Sequence, residues 1–324
     1  MKFTRFPRLA AGLVAGALVL TACGGSNNDD AATEPGSSED SSELSGTVNI
    51  DGSSTVAPLS TAAAEFFAEE QSGVRVTVGT SGTGGGFEKF CAGETDISDA
   101  SRPIKEDEEA PICAEAGIEY VEIPVANDAL TVVVNTENDW VDCLTTEQLK
   151  AIWEPGSKVN SWSDVDPSFP DEKLELFGPG TDSGTFDYFT DEINGEEGAS
   201  RDDYSPSEDD NVIVQGVSGS KGGLGYFGFT YFEENSDSLK ALGIDSGAGC
   251  VAPSAETARD GSYTPLARPL FIYPSKAALD KPEVKAFLEF YLENDAEIAG
   301  AAQYIPLSDE QKAEAQSAFD TFAG

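Results

Sequence analysis

Three short stretches combine glycines with hydroxyl side chains, each where a strand is predicted to end and a helix to begin. They are GSST at 52–55, GTSGTGGG at 79–86 and TDSGT at 181–185. The first turn of a helix has unpaired backbone N–H groups and about half a unit of positive charge, which suits an anion. One such corner is common as a helix cap. Three in one chain predict a binding site for an oxyanion.

Catalysis and metal binding find little support in the composition. The 324 residues include no histidine, which excludes a serine–histidine–acid triad. There is no Cys-x-x-Cys pair, so zinc, haem and iron–sulfur sites are not expected. We therefore expect a binding protein that is not an enzyme and uses neither a cofactor nor a metal.

Strands and helices alternate along the chain from residue 47, which is the pattern of an α/β protein. Apolar patterning predicts strands at 47–50, 74–78, 129–135, 174–177 and 268–274. Helices are predicted after Thr55, from Phe87, over 145–153, from Ser183 and over 281–294. The 129–135 run, ALTVVVN, is apolar throughout, as expected of a strand covered on both faces.

The first 45 residues read as an export signal followed by a tether. Basic residues precede an apolar stretch that is too short to span a bilayer, which predicts a signal peptide over 1–22. LTAC at 20–23 resembles the lipobox of bacterial lipoproteins, which implies a lipid on Cys23. The alternative is an ordinary signal peptide with Cys23 in a disulfide. Residues 23–45 are polar and acidic, and we expect a disordered tether.

The formal net charge of −40 argues against nucleic acid or anionic lipid surfaces as partners. We expect contact with the membrane through the lipid anchor only. Four cysteines follow the predicted signal and lipidation site, and an even number in an exported chain predicts disulfides with three pairings open. We favour Cys91 with Cys113, which lie close in sequence, and this leaves Cys143 with Cys250.

Five ordered segments carry a resemblance to a known family. They are IDGSSTVAPLS, GTSGTGGGFEKFCAGETDISDASRPI, FGPGTDSGTFDYF, EDDNVIVQGVSGSKGGLGYFGF and ARPLFIYP. Together they resemble the phosphate-binding proteins of phosphate ABC importers, over about residues 46–322. The resemblance implies a two-lobe periplasmic-binding-protein-like fold with two crossing hinge strands. It also implies an extracytoplasmic monomer that clamps inorganic phosphate between its lobes and passes it to a membrane permease.

The resemblance implies lobe boundaries and ligands for this chain. Lobe 1 would be 46–135 plus 266–324, and lobe 2 would be 136–265. The implied phosphate-binding positions are Ser54, Thr55, Ser81, Thr83, Ser101, Ser183, Gly184 and Thr185.

The sequence departs from the family's pattern at two places. Pro179 stands where the family has an arginine, and Ser101 stands where it has an aspartate. We expect Arg102 to replace the guanidinium, unless it forms a surface salt bridge. For the carboxylate that accepts a phosphate proton we favour Asp182 over Asp99, unless these acids cap helices or pair with Arg102.

Three other functions use the same anion corners. A binder of sulfate or a phosphonate differs only in the ligand. An exported phosphatase needs a nucleophile and usually metals, which would rest on carboxylates alone in a chain without histidine. A surface protein that senses phosphate without transporting it is the third alternative.

Overall fold

The computed structural model describes residues 44–181 and 183–324. The predicted signal peptide, Cys23, most of the tether and Asp182 lie outside these residues. Over the described ranges, no helix is long and apolar enough to cross a membrane.

The described residues alternate between strands and helices, as the sequence predicts. The strands are β1 (Gly46–Gly52), β2 (Val74–Gly79), β3 (Ile97–Ala100), β4 (Ile123–Asn135), β5 (Cys143–Thr145), β6 (Glu175–Gly178), β7 (Ser205–Pro206), β8 (Gly223–Gly228), β9 (Leu239–Ala241), β10 (Gly243–Asp245), β11 (Cys250–Val251) and β12 (Ala267–Pro274). The helices are α1 (Ala57–Glu70), α2 (Gly82–Cys91), α3 (Ala110–Ala116), α4 (Thr146–Trp153), α5 (Trp162–Val165), α6 (Gly184–Phe189), α7 (Asp210–Gly219), α8 (Phe229–Asn235), α9 (Ala255–Arg259), α10 (Pro282–Glu293), α11 (Asp295–Ala301) and α12 (Asp309–Ala323).

One sheet connects most of the strands. Its order is β2-β1-β3-β12-β4-β8-β6-β7, and β9 pairs with β4 beside this path. β1 is parallel to β2 and β3, whereas β12 runs antiparallel to both β3 and β4. A separate three-stranded sheet has the order β11-β10-β5. The parallel strands β1, β2 and β3 bring their carboxyl ends to one edge, where an α/β protein binds ligands.

β4 and β12 cross between two hydrophobic cores. The first part of β4, with Ile123 and Ala126, belongs to a core shared with α1 and α10. From Ala129 onward, β4 belongs to a second core that contains Trp153 and Tyr226. On β12, Ala267 packs against the second core and Leu270 belongs to the first. This is a two-lobe fold with two crossing strands.

The position of the crossing bears on the predicted lobe boundaries. The sequence places the first boundary after residue 135, whereas core membership changes between residues 126 and 129. We therefore propose that the lobes meet near Asp128 on β4 and near Arg268 on β12, which are paired across the two strands.

Most predicted elements are present, and the start of α2 differs. The helix begins at Gly82 and not at Phe87, so it includes the glycines that the sequence reading left in a turn. Glycine is a poor helix former, but a Cβ at Gly86 would lie 2.5 Å from the Gly52 Cα. Gly86 therefore lets α2 pack directly on the end of β1.

Two disulfides have the predicted pairing. Cys91 is bonded to Cys113, which joins α2 to α3. Cys143 is bonded to Cys250, which joins β5 to β11. The second bridge closes a separation of 107 residues. It ties the beginning of the second core to a segment close to the return crossing.

Candidate anion-binding site

A cavity of about 460 Å³ lies where the predicted corners meet. Seven of the ten predicted binding residues line it: Ser54, Thr55, Ser81, Thr83, Ser101, Arg102 and Gly184. Thr185 lines a second, smaller cavity of about 150 Å³. Ser183 lies beside Gly184 at the start of α6, and Asp182 is outside the described residues. The structure thus brings most of the predicted residues together, and their role as phosphate ligands stays a prediction.

The first corner is held by the backbone of the neighbouring strand. Ser53 N donates to Asp99 O at 2.9 Å, and Thr55 N donates to Ser53 Oγ at 3.2 Å. Gly52 has φ 150°, and a Cβ there would lie 2.1 Å from Asp99 O. Only glycine fits this close approach. The Ser54–Thr55 turn is therefore fixed at the end of β1 before α1 begins.

The second corner is joined to Ser101 at the end of β3. Thr83 Oγ1 lies 3.1 Å from Ser101 Oγ, and Ser101 N donates to Thr83 Oγ1 at 3.2 Å. The Ser81 hydroxyl donates to Asp51 Oδ1, which also accepts from Ser81 N at 3.1 Å. Since Asp51 uses the Ser81 hydroxyl proton, Ser81 has less to offer an anion than Thr83 and Ser101 have.

Lys89 forms an ion pair with Asp51, with Nζ 2.6 Å from Oδ2. Burial alone would raise the pKa of Asp51, but the hydrogen bonds from Lys89 and Ser81 outweigh burial and lower it. The carboxylate behind the second corner is therefore charged and fixed at neutral pH.

The third corner reaches the first across the cleft. Ser183 caps α6, with its hydroxyl accepting from Thr185 N at 3.2 Å. A Cβ at Gly184 would lie 3.1 Å from Thr55 Oγ1 and 3.8 Å from Ser54 Oγ. Gly184 therefore keeps the two corners in close approach, one from each side of the crossing.

Arg102 lines the cavity but is already paired. Its Nη1 and Nη2 donate to the two carboxylate oxygens of Glu109 at 2.9 and 2.7 Å. The hydrogen bond to Glu109 is the main reason that the pKa of Arg102 is raised. This is the ion pair that the sequence analysis named as the alternative role. Whether Arg102 also contacts an anion stays a prediction.

Arg268, at the start of the strand predicted over 268–274, is a second guanidinium in the cavity, and it is not among the predicted binding residues. Its Nε lies 3.3 Å from Asp128 Oδ2, and its Nη2 donates to Thr55 Oγ1 at 3.2 Å. Its Cζ lies 3.5 Å from the centroid of the Tyr188 ring. The position of Arg268 in the sequence could have suggested a binding role, because a strand that crosses between two lobes must pass the cleft.

Four carboxylates that the sequence analysis missed also line the cavity: Asp187, Asp191, Glu192 and Glu197. Burial, followed by the charge of Glu197, raises the pKa of Asp187. Burial and Asp191 raise the pKa of Glu192, against the opposing effect of Arg268. Asp187 lies in α6 and Asp191 lies in the π-helical turn Thr190–Asn194 that follows it, and both face the cavity.

Asp99, the second candidate proton acceptor, is not among the cavity-lining residues. It is fully buried, and its Oδ1 accepts from Ser60 Oγ at 2.9 Å. Burial raises the pKa of Asp99 to about 8. A protonated, enclosed carboxyl group supports the first corner from behind. It does not face a ligand in the cavity.

No group of three or more histidine, cysteine, aspartate or glutamate side chains that could hold a metal ion occurs in the described part of the chain. The polar groups of the cavity are hydroxyls, backbone N–H groups at helix starts, two guanidiniums and carboxylates. Such a donor set suits an oxyanion that carries a proton of its own.

Comparison with known proteins identifies the family. The PBP superfamily domain matches residues 37–295, which is most of the chain. The chain belongs to the PBP superfamily. Protein SphX of Synechocystis sp. is 49% identical to this PBP chain over 272 residues, which cover 83% of this chain and 81% of the relative. A phosphate-binding protein PstS of Staphylococcus saprophyticus is 40% identical over 315 residues, 96% of this chain and 93% of the relative.

A solved structure agrees with this placement within the PBP superfamily. A possible phosphate binding protein from Planctomyces limnophilus superposes with a TM-score of 0.82 at 48% sequence identity. The match covers 86% of this chain and 99% of that chain. This PBP chain therefore belongs to the same family as these relatives.

Proposed function

We propose that this protein is an extracytoplasmic substrate-binding lipoprotein that captures inorganic phosphate between two lobes and delivers it to the permease of an ABC importer. The proposal is supported by the names of the PstS and Planctomyces limnophilus relatives, which describe phosphate binding. We further propose that it is a monomer, that it has no enzymatic activity, and that Cys23 carries the lipid anchor.

The observation that carries the proposal is the meeting of two corners from opposite sides of the crossing. Gly184 lies against Thr55, and the cavity between them is lined by hydroxyls and by helix starts. A dehydrated phosphate needs many fixed donors in place of its hydration shell. Ligands drawn from both lobes link binding to closure, because the anion is fully contacted only when the lobes are together.

The proposed ligands are the predicted set, with Ser54, Thr55, Thr83 and Ser101 contributing hydroxyl or backbone donors. Ser81 contributes by holding the second corner in position, because its hydroxyl and its backbone N–H both donate to Asp51. Gly184 contributes its N–H group at the start of α6, and Thr185 contributes its hydroxyl, because its own N–H donates to the Ser183 cap. Asp182 is proposed as the carboxylate that accepts a hydrogen bond from the phosphate proton. The four carboxylates of the cavity wall are the alternative acceptors.

A carboxylate acceptor favours phosphate over sulfate. Phosphate retains a proton at neutral pH and can donate it, whereas sulfate has none, so its oxygens would face a carboxylate without a shared hydrogen. Four carboxylates in the cavity wall are the observation that favours a protonated anion over sulfate as the substrate.

Calorimetry on the purified, phosphate-free protein tests the proposal. Phosphate and arsenate should bind with one site per chain, and sulfate and a simple phosphonate should bind at least ~100-fold more weakly. If sulfate or a phosphonate binds more tightly than phosphate, that anion and not phosphate is the substrate. Absence of binding by all four anions would refute an oxyanion-binding function.

A further inference from the structure

Arg268 lies where the two crossing strands pair. Arg268 and Asp128 are directly opposite each other on the antiparallel strands β12 and β4. Their side chains are 19% and 8% exposed, and Nε lies 3.3 Å from Oδ2. A buried charge requires a partner, and Asp128 provides it from the other crossing strand. Asp128 on β4 therefore holds the guanidinium of Arg268, which belongs to β12, at the hinge.

The same guanidinium contacts both walls of the cleft. On one side its Nη2 donates to Thr55 Oγ1, in the corner that precedes α1. On the other side its Cζ stacks on the ring of Tyr188, in α6. The Tyr188 hydroxyl donates to Pro265 O at 2.6 Å, which fixes the ring. Groups from both lobes thus fix the orientation of the Arg268 guanidinium plane and the position of its terminal nitrogens.

The contact with Thr55 has a consequence for hydrogen bonding. Because Thr55 Oγ1 accepts a hydrogen bond from Arg268, the hydroxyl proton of Thr55 stays available to donate elsewhere. A guanidinium has five N–H donors, and within the described residues Arg268 uses two, on Asp128 and Thr55. Arg268 and Thr55 can therefore donate together to one anion in the cavity that both line.

The guanidinium of Arg102, in contrast to that of Arg268, is already paired at both terminal nitrogens. Both of its terminal nitrogens are engaged by the two oxygens of Glu109, so the fork is already matched to a carboxylate. An anion would have to displace Glu109, or to share nitrogens whose charge is compensated. The Nε contact of Arg268 leaves Nη1 without such a partner among the described residues.

We infer that Arg268 is the cationic ligand of the bound anion, and that Asp128 is the residue that positions it. The inference rests on the proposed phosphate-binding function and names the residue that supplies the positive charge. It moves this role from Arg102 to the crossing strand. The bound anion then contacts a side chain rooted in the hinge, in addition to the corners of the two lobes.

Phosphate titrations of four variants by calorimetry test the inference. Arg268→Gln should weaken binding by about two orders of magnitude, because it removes charge-assisted hydrogen bonds. Arg268→Lys should weaken it by about tenfold, since a point charge cannot reproduce the planar fork. Arg102→Gln should cost only about threefold. The matched control is Arg75→Gln, on the exposed face of β2, and it should bind like the unaltered protein.

The positioning role of Asp128 needs a readout other than affinity loss. Asp128→Asn should weaken binding, and combining it with Arg268→Gln should cost little beyond Arg268→Gln alone, because both changes act through one guanidinium. Additive losses in the double variant would contradict positioning through Arg268.

Two further outcomes would overturn the assignment. One is an Arg268→Gln protein that binds phosphate as tightly as Arg75→Gln. The other is loss of the folded circular dichroism spectrum in Arg268→Lys, which would give Arg268 a structural role. Failure of the unaltered protein to bind phosphate would instead refute the proposed function, so the two failures are distinguishable.

Discussion

Asp99 offers a quantitative test of how burial sets the charge state behind the site. It is fully buried, one carboxyl oxygen accepts from Ser60, and its Oδ2 has no hydrogen-bond partner in the described residues. The cost of placing a charge there raises its pKa from 3.8 to about 8, and the nearby Asp51 adds to this effect. The folded protein therefore keeps a proton on Asp99 at neutral pH, whereas the unfolded chain releases it.

The sign of the pH dependence follows from this proton. Between pH 5 and 7 the folded state holds one more proton at this position than the unfolded state, so raising the pH favours unfolding. The contribution of Asp99 to the free energy of unfolding falls by about 1.4 kcal/mol per pH unit, and by about 2.7 kcal/mol over these two units. Asp99→Asn has almost the same shape and cannot ionise, so this contribution disappears.

Urea denaturation of both proteins at several pH values between 5 and 7 measures the effect. The difference in unfolding free energy, Asp99→Asn minus unaltered, should rise by about 1.4 kcal/mol per pH unit. The matched control is Asp107→Asn at an exposed position, which should track the unaltered protein. Parallel stability curves for Asp99→Asn and the unaltered protein would mean that Asp99 is ionised in the fold, and the argument from burial would be wrong.

Three further predictions address the cleft, the disulfides and the anchor. Gly184→Ala puts a Cβ 3.1 Å from Thr55 Oγ1, so phosphate binding should weaken by about tenfold with the fold retained; unchanged affinity in calorimetry would show that the corners tolerate separation. Replacing Cys143 and Cys250 by serine should lower the free energy of unfolding by about 2–5 kcal/mol in denaturant titrations, and an unchanged midpoint would contradict a stabilising bridge. Cys23→Ala should release the protein from the membrane fraction on cell fractionation, and retention there would refute lipid anchoring.

The corners could be predicted because they are local. A strand end, a glycine-containing turn and a helix start occupy consecutive residues, so the sequence shows each unit whole. Thr145 illustrates the same point: it forms a capping box with Gln148, only three residues further along the chain, at the start of α4. The disulfides could also be predicted, because four cysteines in an exported chain leave only three pairings.

The charged groups of the cavity could not be predicted from the sequence in this way. Arg268 and Asp128 are 140 residues apart and become partners only through the register of β12 on β4. Asp187 and Asp191 could not be assigned to the cavity from the sequence, because the sequence does not tell which face of their helical segment the cleft uses. Conversely, Arg102 lay inside a recognised motif, yet the side chain that engages it, Glu109, is seven residues further along the chain.

An anion site can exist in a chain with a formal net charge of −40 because of where its donors lie. Exposed charges are screened over about 8 Å at physiological salt, whereas groups enclosed in a cleft are screened much less. The hydroxyls and helix starts carry no net charge, so each adds attraction without needing a counter-ion. Arg268 adds one positive charge at the hinge, held by Asp128 and by the ring of Tyr188. These fixed donors act on an anion at contact distance, against the four carboxylates of the cavity wall, whereas the acidic exterior is largely screened.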